Sequence, residues 1–163
     1  MPSSKHAIRA ILKHLKPEYK YIIEYGAGSG TITREILKAL PSDGKILAVE
    51  LNKKLFEELS KIKDSRLKVT NDNAVDVSKN LGVLDWPRID AVISGIPFSF
   101  LKSPERKEII KNTHDFLSLG GRFIVYQISL LALPLLKKSF KKIKKYFELR
   151  NIPPYFIMVG EKN

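Results

Sequence analysis

The residues with the most chemical promise are carboxylates and glycines set at regular points along the chain. Glu24 precedes Gly26, Gly28 and Gly30, and Thr31 then opens a helical pattern carrying Ile32, Ile36, Leu37 and Leu40. Glycines suit such a loop because a tight turn needs backbone angles that other residues resist, and because a ligand can approach a main chain that has no Cβ. Glu50 lies 20 residues beyond Gly30. That is the offset at which nucleotide-binding folds place a carboxylate for the ribose hydroxyls, its two oxygens accepting both protons. The spacing E-x-G-x-G-x-G differs from the dinucleotide pattern G-x-G-x-x-G, which would put a third glycine where Thr31 stands. A glycine-rich turn that binds nothing is the plain alternative.

These residues need elements to hold them. Tyr21–Tyr25 reads as a strand running into the glycine loop, and Lys45–Glu50 as a buried parallel strand with an acidic end. Arg66–Thr70 is a third strand, leading to Asp72, Asn73 and Ala74, and Ile89–Ser94 is a fourth, leading to Gly95-Ile96-Pro97-Phe98. Phe123–Gln127 reads as a fifth, with two more near Tyr146–Arg150 and Tyr155–Val159. Helical patterns separate the first five, and another, capped by Ser3 or Ser4 and ended by Pro17, precedes the first strand. His6 and His14 fall on that helix's polar side and read as solvated. Leu130–Leu136 begins a last helix, which the spacing carries into the run Lys137, Lys138, Lys141, Lys142, Lys144, Lys145. Interleaved with Phe140, Ile143, Tyr146 and Phe147, that run predicts an apolar stripe flanked by cations, suited to an anionic lipid surface or to phosphates. The fold class expected is α/β, a three-layer αβα sandwich whose seven-stranded sheet is mostly parallel with its last strand antiparallel.

The totals narrow the partners. At 163 residues the chain suits one domain, with residues 1–17 an N-terminal helix packed on it. Lys plus Arg number 29 against 17 Asp plus Glu, a net +12 that should attract nucleic acid or an acidic membrane surface. There is no cysteine, which excludes disulfides, thiolate metal sites and a cysteine nucleophile and agrees with a cytoplasmic setting. No secretory signal is visible, and the longest apolar stretch, Phe123–Leu136, is interrupted by Gln127, Ser129 and Pro134. It is too short to span a membrane, so any membrane association is expected to be peripheral.

The E-x-G-x-G-x-G segment resembles motif I of the class I S-adenosylmethionine-dependent methyltransferases. That resemblance implies S-adenosylmethionine as cofactor, with Glu24, Gly26, Ala27, Gly28 and Gly30 in its loop and Glu50 and Leu51 beside the ribose. Asp72 would accept the adenine amino group, with Asn73 and Ala74 beside it; an Asx turn capping the next helix is the competing role for this segment. Gly95-Ile96-Pro97-Phe98 stands where amino-group methyltransferases carry N-P-P-Y or N-L-P-Y, with Gly95 in place of the Asn. Ser94-Gly95-Ile96-Pro97-Phe98 is similar to the S-G-L-P segment of the bacterial soluble phosphatidylethanolamine N-methyltransferases, relatives of the rRNA adenine dimethylases. Pro2-Ser3-Ser4, Gly120-Gly121-Arg122-Phe123 and Arg150-Asn151-Ile152-Pro153-Pro154 resemble that family's P-S-S, G-G-R-F and R-N-x-P-P. Its members usually carry an amphipathic membrane-binding segment ahead of P-S-S, which here is either truncated or absent by nature. The implied activity is N-methylation of a phospholipid amine, with Ser94, Gly95, Pro97 and Phe98 at the reacting centre and no metal. RNA adenine methylation, or a basic binding module that has lost catalysis, are the alternatives.

Overall fold

The computed structural model describes residues 3–163; Pro2 of the P-S-S segment lies outside them. Its strands are β1 (Tyr21–Tyr25), β2 (Lys45–Val49), β3 (Leu67–Thr70), β4 (Ala91–Ser94), β5 (Arg122–Gln127), β6 (Lys142–Glu148) and β7 (Tyr155–Glu161). They form one sheet in the order β3-β2-β1-β4-β5-β7-β6, parallel except that β7 runs antiparallel to both neighbours. The strand order reverses between β1 and β4, the switch point where open α/β sheets bind ligands beyond the strands' carboxyl ends.

Alternation along the strands sorts the core into two layers. Ile23, Tyr25, Val92, Phe123 and Val125 point to a face covered by α4 (Ala74–Lys79), α5 (Ser103–Phe116) and α6 (Leu133–Ser139), where Ile109, Ile110 and Leu136 are buried. Ile22, Ile46, Ile93, Ile124 and Tyr126 point to the other face, covered by α1 (Lys5–Leu12) and α2 (Thr31–Ala39) through Ile8, Ile11, Ile32 and Ile36. The sixth helix, α3 (Lys53–Leu59), is mostly exposed and buries only Leu59. Burial on both faces explains why the central strands read as continuous apolar runs. No helix among the described residues is long and apolar enough to cross a membrane.

Two expectations are overturned. The lysine run is not helical: α6 stops at Ser139 and Lys142–Glu148 is an edge strand paired with β7. Phe140 ends the helix because its ring is buried against Phe123, in space left open by Gly160, where a Cβ would meet the ring at 2.7 Å. Beyond it, Ile143 and Phe147 turn to the α6 face and Tyr146 to the α1 face, a period of two. Lys142, Lys144 and Lys145 therefore line a free sheet edge, where charge discourages pairing with another chain. His14 is not solvated either. It is buried beneath Tyr146, ring centroids 4.6 Å apart, and burial with the nearby cations of Lys13, Arg122 and Lys144 lowers its pKa to about 4.

The three short segments flanking the core motifs prove to be joints. The Ser4 amide donates to Asn151 Oδ1 (2.9 Å), Asn151 Nδ2 donates to the Pro153 carbonyl (2.7 Å), and Ser4 Oγ caps α1 by accepting from the Ala7 amide. Arg122 donates to the His14 carbonyl and pairs with Glu161. The start of α1 is thereby pinned to the β6–β7 hairpin. Asn151→Ala removes a buried amide with two partners and should cost about 1–3 kcal/mol in urea unfolding, whereas the neighbouring exposed change Ile152→Ala should cost less than half as much.

Candidate functional site

The site is assembled by register. Ser94, Tyr25, Val49 and Thr70 pair in one row across β4, β1, β2 and β3. One residue beyond that row stand Gly95, Gly26, Glu50 and Asn71, so the glycine loop, the strand-end carboxylate and the loop after β4 leave the sheet together. The Gly26 and Ala27 amides donate to the Val49 carbonyl (2.8 and 3.0 Å), which starts the turn. Gly28 has φ +60°, and a Cβ built on it would meet nothing within 4 Å, so its main chain faces open space. Gly30 caps α2 without any side chain, leaving the first-turn amides free to face an anionic group.

Glu50 is buried and fastens two loops: Oε2 accepts from the Gly28 amide and Oε1 from the Asn52 amide, both at 2.8 Å. Each oxygen keeps a further lone pair, so hydroxyl donors could add without breaking either bond. Asn71, which the sequence reading passed over, donates to the carbonyls of Glu50 (2.8 Å) and Leu51 (3.0 Å) and sets the carboxylate's height. Leu51 itself is 65% exposed.

A cleft of about 400 Å³ opens at the switch point, lined by Gly26, Ala27, Gly28, Ser29, Thr31, Leu55, Gly95, Tyr126, Tyr155 and Ser3. That volume suits a small-molecule cofactor. Two of the lining residues, Tyr126 and Tyr155, form an aromatic wall with centroids 5.7 Å apart. Tyr126 explains Gly95: a Cβ there would overlap the phenol, meeting Cζ at 2.6 Å. Its pKa is pushed far above the ordinary phenol range, first by burial and then by the carboxylates of Glu24 and Glu50, so the hydroxyl stays neutral.

The remaining candidates divide. Ser94 is fully buried and its hydroxyl turns back to the Ile96 amide (3.4 Å), so it does not replace the side chain that Gly95 lacks. Pro97 leads into a single helical turn, Phe98–Phe100. Phe98 is 0% exposed, its ring in the core and its amide donating to Gln127 Oε1 (2.9 Å); Phe100 is 82% exposed. A side chain walling the cleft must therefore come from elsewhere than Phe98. Asp72 is exposed at the tip of β3, with Oδ1 accepting from the Asn73 amide, while Asn73 caps α4 through the Val75 amide and Ala74 is buried. Asp72 lines a separate groove with Thr70 and Asp76 rather than the glycine-loop cleft.

Glu24 lies beneath the loop, 1% exposed, accepting from Thr33 Oγ1 at 2.5 Å. Burial raises its pKa to about 8, with the Thr33 bond opposing and the Glu50 charge adding to the rise. Tyr126, Tyr155 and Gln127 had one visible signal, polar groups closing otherwise apolar strands, but nothing in the sequence aimed them at Gly95.

A doubly sided sheet with a glycine loop, a strand-end carboxylate and a cleft at its switch point defines a Rossmann-like S-adenosylmethionine-dependent methyltransferase. The model of the ribosomal RNA adenine dimethylase family matches residues 3–110, and the chain belongs to that family. It is 25% identical over 139 residues to the ubiquinone/menaquinone biosynthesis C-methyltransferase UbiE of Wigglesworthia glossinidia brevipalpis, covering 82% of this chain and 49% of that protein. It is 22% identical over 157 residues to the ornithine lipid N-methyltransferase of Singulisphaera acidiphila, covering 94% and 82%. The chain thus spans about half the length of the first relative and most of the second. Human methyltransferase-like protein 13, solved in complex with S-adenosylhomocysteine, superposes with a TM-score of 0.78 at 16% identity, covering 98% of this chain and 83% of that one.

The Glu24 carboxyl gives a pH signature. Its pKa in the folded chain, about 8, lies above the ordinary 4.5, so the folded state holds the extra proton between those values. Stability from this group is full below about pH 4.5 and is lost as pH rises through 8. His14 acts oppositely but only below about pH 6.5. From pH 7 to 9, urea unfolding of the unliganded chain should show stability falling, and Glu24→Gln should flatten that fall.

Proposed function

We propose that this methyltransferase transfers the methyl group to the amine of a phosphatidylethanolamine-type lipid headgroup, working at the cytoplasmic face of a membrane. The observation that carries the reading is the floor of the cleft. At Gly95, where base-methylating enzymes present a planar amide, the phenol of Tyr126 fills the space a side chain would take. With Phe98 buried as well, the pair that would grip and stack an adenine is missing from these two positions. The 22% identical ornithine lipid N-methyltransferase supports the same choice.

S-adenosylmethionine, when bound, supplies a methyl group on a sulfonium whose departure needs no metal. The rest falls to the chain. In this reading the Gly26–Gly30 loop and the first turn of α2 receive the carboxylate end, and Glu50 takes the ribose hydroxyls. Leu51, Asp72, Asn73 and Ala74 flank the adenine. The neutral Tyr126 hydroxyl would accept an N–H of the incoming amine and so orient the amine's lone pair for methyl transfer. The faces of Tyr126 and Tyr155 stabilise positive charge at the reacting centre. Pro97 and the Gln127–Phe98 bond hold the loop after β4 so that water is excluded.

A second reading, methylation of adenine in RNA, is favoured by the family match, by the net +12 and by Phe100, whose exposed ring could stack on a base. Incubation with labelled S-adenosylmethionine and either phosphatidylethanolamine vesicles or total RNA separates the two; label in RNA alone would reject the lipid acceptor. Two variants test the roles. Glu50→Ala should weaken S-adenosylhomocysteine binding in calorimetry by about 1–3 kcal/mol. Tyr126→Phe should leave that affinity unchanged and lower kcat/KM for the lipid at least tenfold, about 1.4 kcal/mol in the barrier.

A further inference from the structure

Large apolar residues that stay exposed are unevenly placed on this molecule. Among the described residues there are eleven, and eight follow or end the strands at the cleft side of the sheet. Leu51 and Leu55 border the cofactor cleft. The other six are Phe100 (82% exposed) after β4, Ile128 and Leu131 after β5, Phe147 at the end of β6, and Leu149 (68%) and Ile152 (83%) in the hairpin loop. Register brings them together: Gln127, Phe156 and Phe147 share one row across β5, β7 and β6, two residues beyond the row that holds Ser94. They stand beyond the strands' carboxyl ends, the side on which the cleft opens, as a rim toward the β5-β7-β6 edge of the sheet.

The exposed charges of this rim are positive. Within residues 98–102, 127–135 and 147–154 the ionisable side chains are Lys102, Arg150 and Glu148. Glu148 is buried and paired with Arg150 at 2.8 Å, and Lys144 and Lys145 stand just behind on β6. The hairpin tip has few free donors: Pro153 and Pro154 have no N–H, the Arg150 amide already bonds Glu148, and the Asn151 side chain already bonds Ser4 and the Pro153 carbonyl. Little polar surface would lose water if the tip entered an apolar layer. RNA would find only the rings of Phe100 and Phe147 to stack on, since the other four residues, Ile128, Leu131, Leu149 and Ile152, offer neither charge, side-chain donor nor aromatic ring.

We propose that this rim docks on an anionic bilayer, its apolar side chains entering the headgroup boundary and its cations meeting the lipid phosphates, so that the cleft mouth opens onto the membrane. The proposal rests on the lipid-amine reading, and it names the face that reading requires. Apolar insertion with flanking cations is the general mode of interfacial binding. Salt should weaken such docking without abolishing it, because only the charged part is screened.

The test is co-sedimentation of the full chain with vesicles of phosphatidylglycerol and phosphatidylcholine. The double change Leu149→Ser with Ile152→Ser should reduce partition at least tenfold. Val83→Ser, equally exposed (81%) but away from the cleft, should not change it. In a Trp86→Phe background, Ile152→Trp should shift its emission to the blue when vesicles are added. S-adenosylhomocysteine calorimetry, unchanged in every variant, shows that each is folded. Partition that is unaffected by the double change, equally reduced by Val83→Ser, or absent from the native chain overturns the docking face. Methylation of detergent-dispersed phosphatidylethanolamine tests the acceptor separately. If it persists when docking fails, only the face was wrong; if vesicles bind through the rim and no lipid is methylated, only the acceptor was.

Discussion

The site depends on a bond between two loops that have no sequence continuity: Glu50 Oε2 accepting the Gly28 amide. β1 and β2 deliver their loops to the same row, but register alone does not fix a glycine-rich turn, whose backbone has more freedom than any other. The carboxylate does so. It holds Gly28 on one oxygen and Asn52 on the other, while Asn71 holds the carbonyls of Glu50 and Leu51 from the third strand. Three successive strand ends become one rigid frame, and the cleft is what remains between that frame and the loop after β4. A buried carboxylate with main-chain partners costs less than an unpaired one, because each lone pair that leaves water finds a donor.

Two acidic residues at neighbouring strand ends are thereby put to different uses. Glu50 is held by amides at the cleft. Glu24, one strand over and beneath the loop, has Thr33 for a partner and is driven toward its neutral form. The contrast follows from position: the end of β2 opens to the cleft, whereas Glu24 points down between β1 and α2. Gly95 and Tyr126 make a similar division on the other side of the crevice, one giving up its side chain so that the other can reach across.

What could be read from the sequence was what local constraint dictates. The glycine loop, the strand-end Glu50, the Asn73 cap and the order of the first five strands are each written within a few adjacent residues. Tyr126 could not be assigned in this way, because its place over Gly95 comes from the pairing of β4 with β5, a contact across 31 positions. Phe98 occupies the aromatic position of the tetrapeptide it resembles, which implies a place at the reacting centre, yet the single turn it opens sends its ring into the core. The lysine run was misread for a different reason. Phe140, Ile143 and Phe147 fit a helical period, while Ile143, Lys145 and Phe147 fit a strand, and the open edge of β7 decided between them. His14 lay on a polar helical position, and only the arrival of Tyr146 on that strand buried it.

The sheet order carries a consequence for how the chain finds its shape. β7 follows β6 in the chain but lies between β5 and β6 in space. Neither strand can extend the parallel sheet by adding in chain order, since β6 has no partner in β5. β6 therefore joins the sheet only through β7, with which it forms a hairpin around residues 149–154. Hairpins close in microseconds, whereas pairing across long stretches of chain is slow. The cleft's aromatic wall, half from β5 and half from the start of β7, is consequently complete only once β7 has paired with β5.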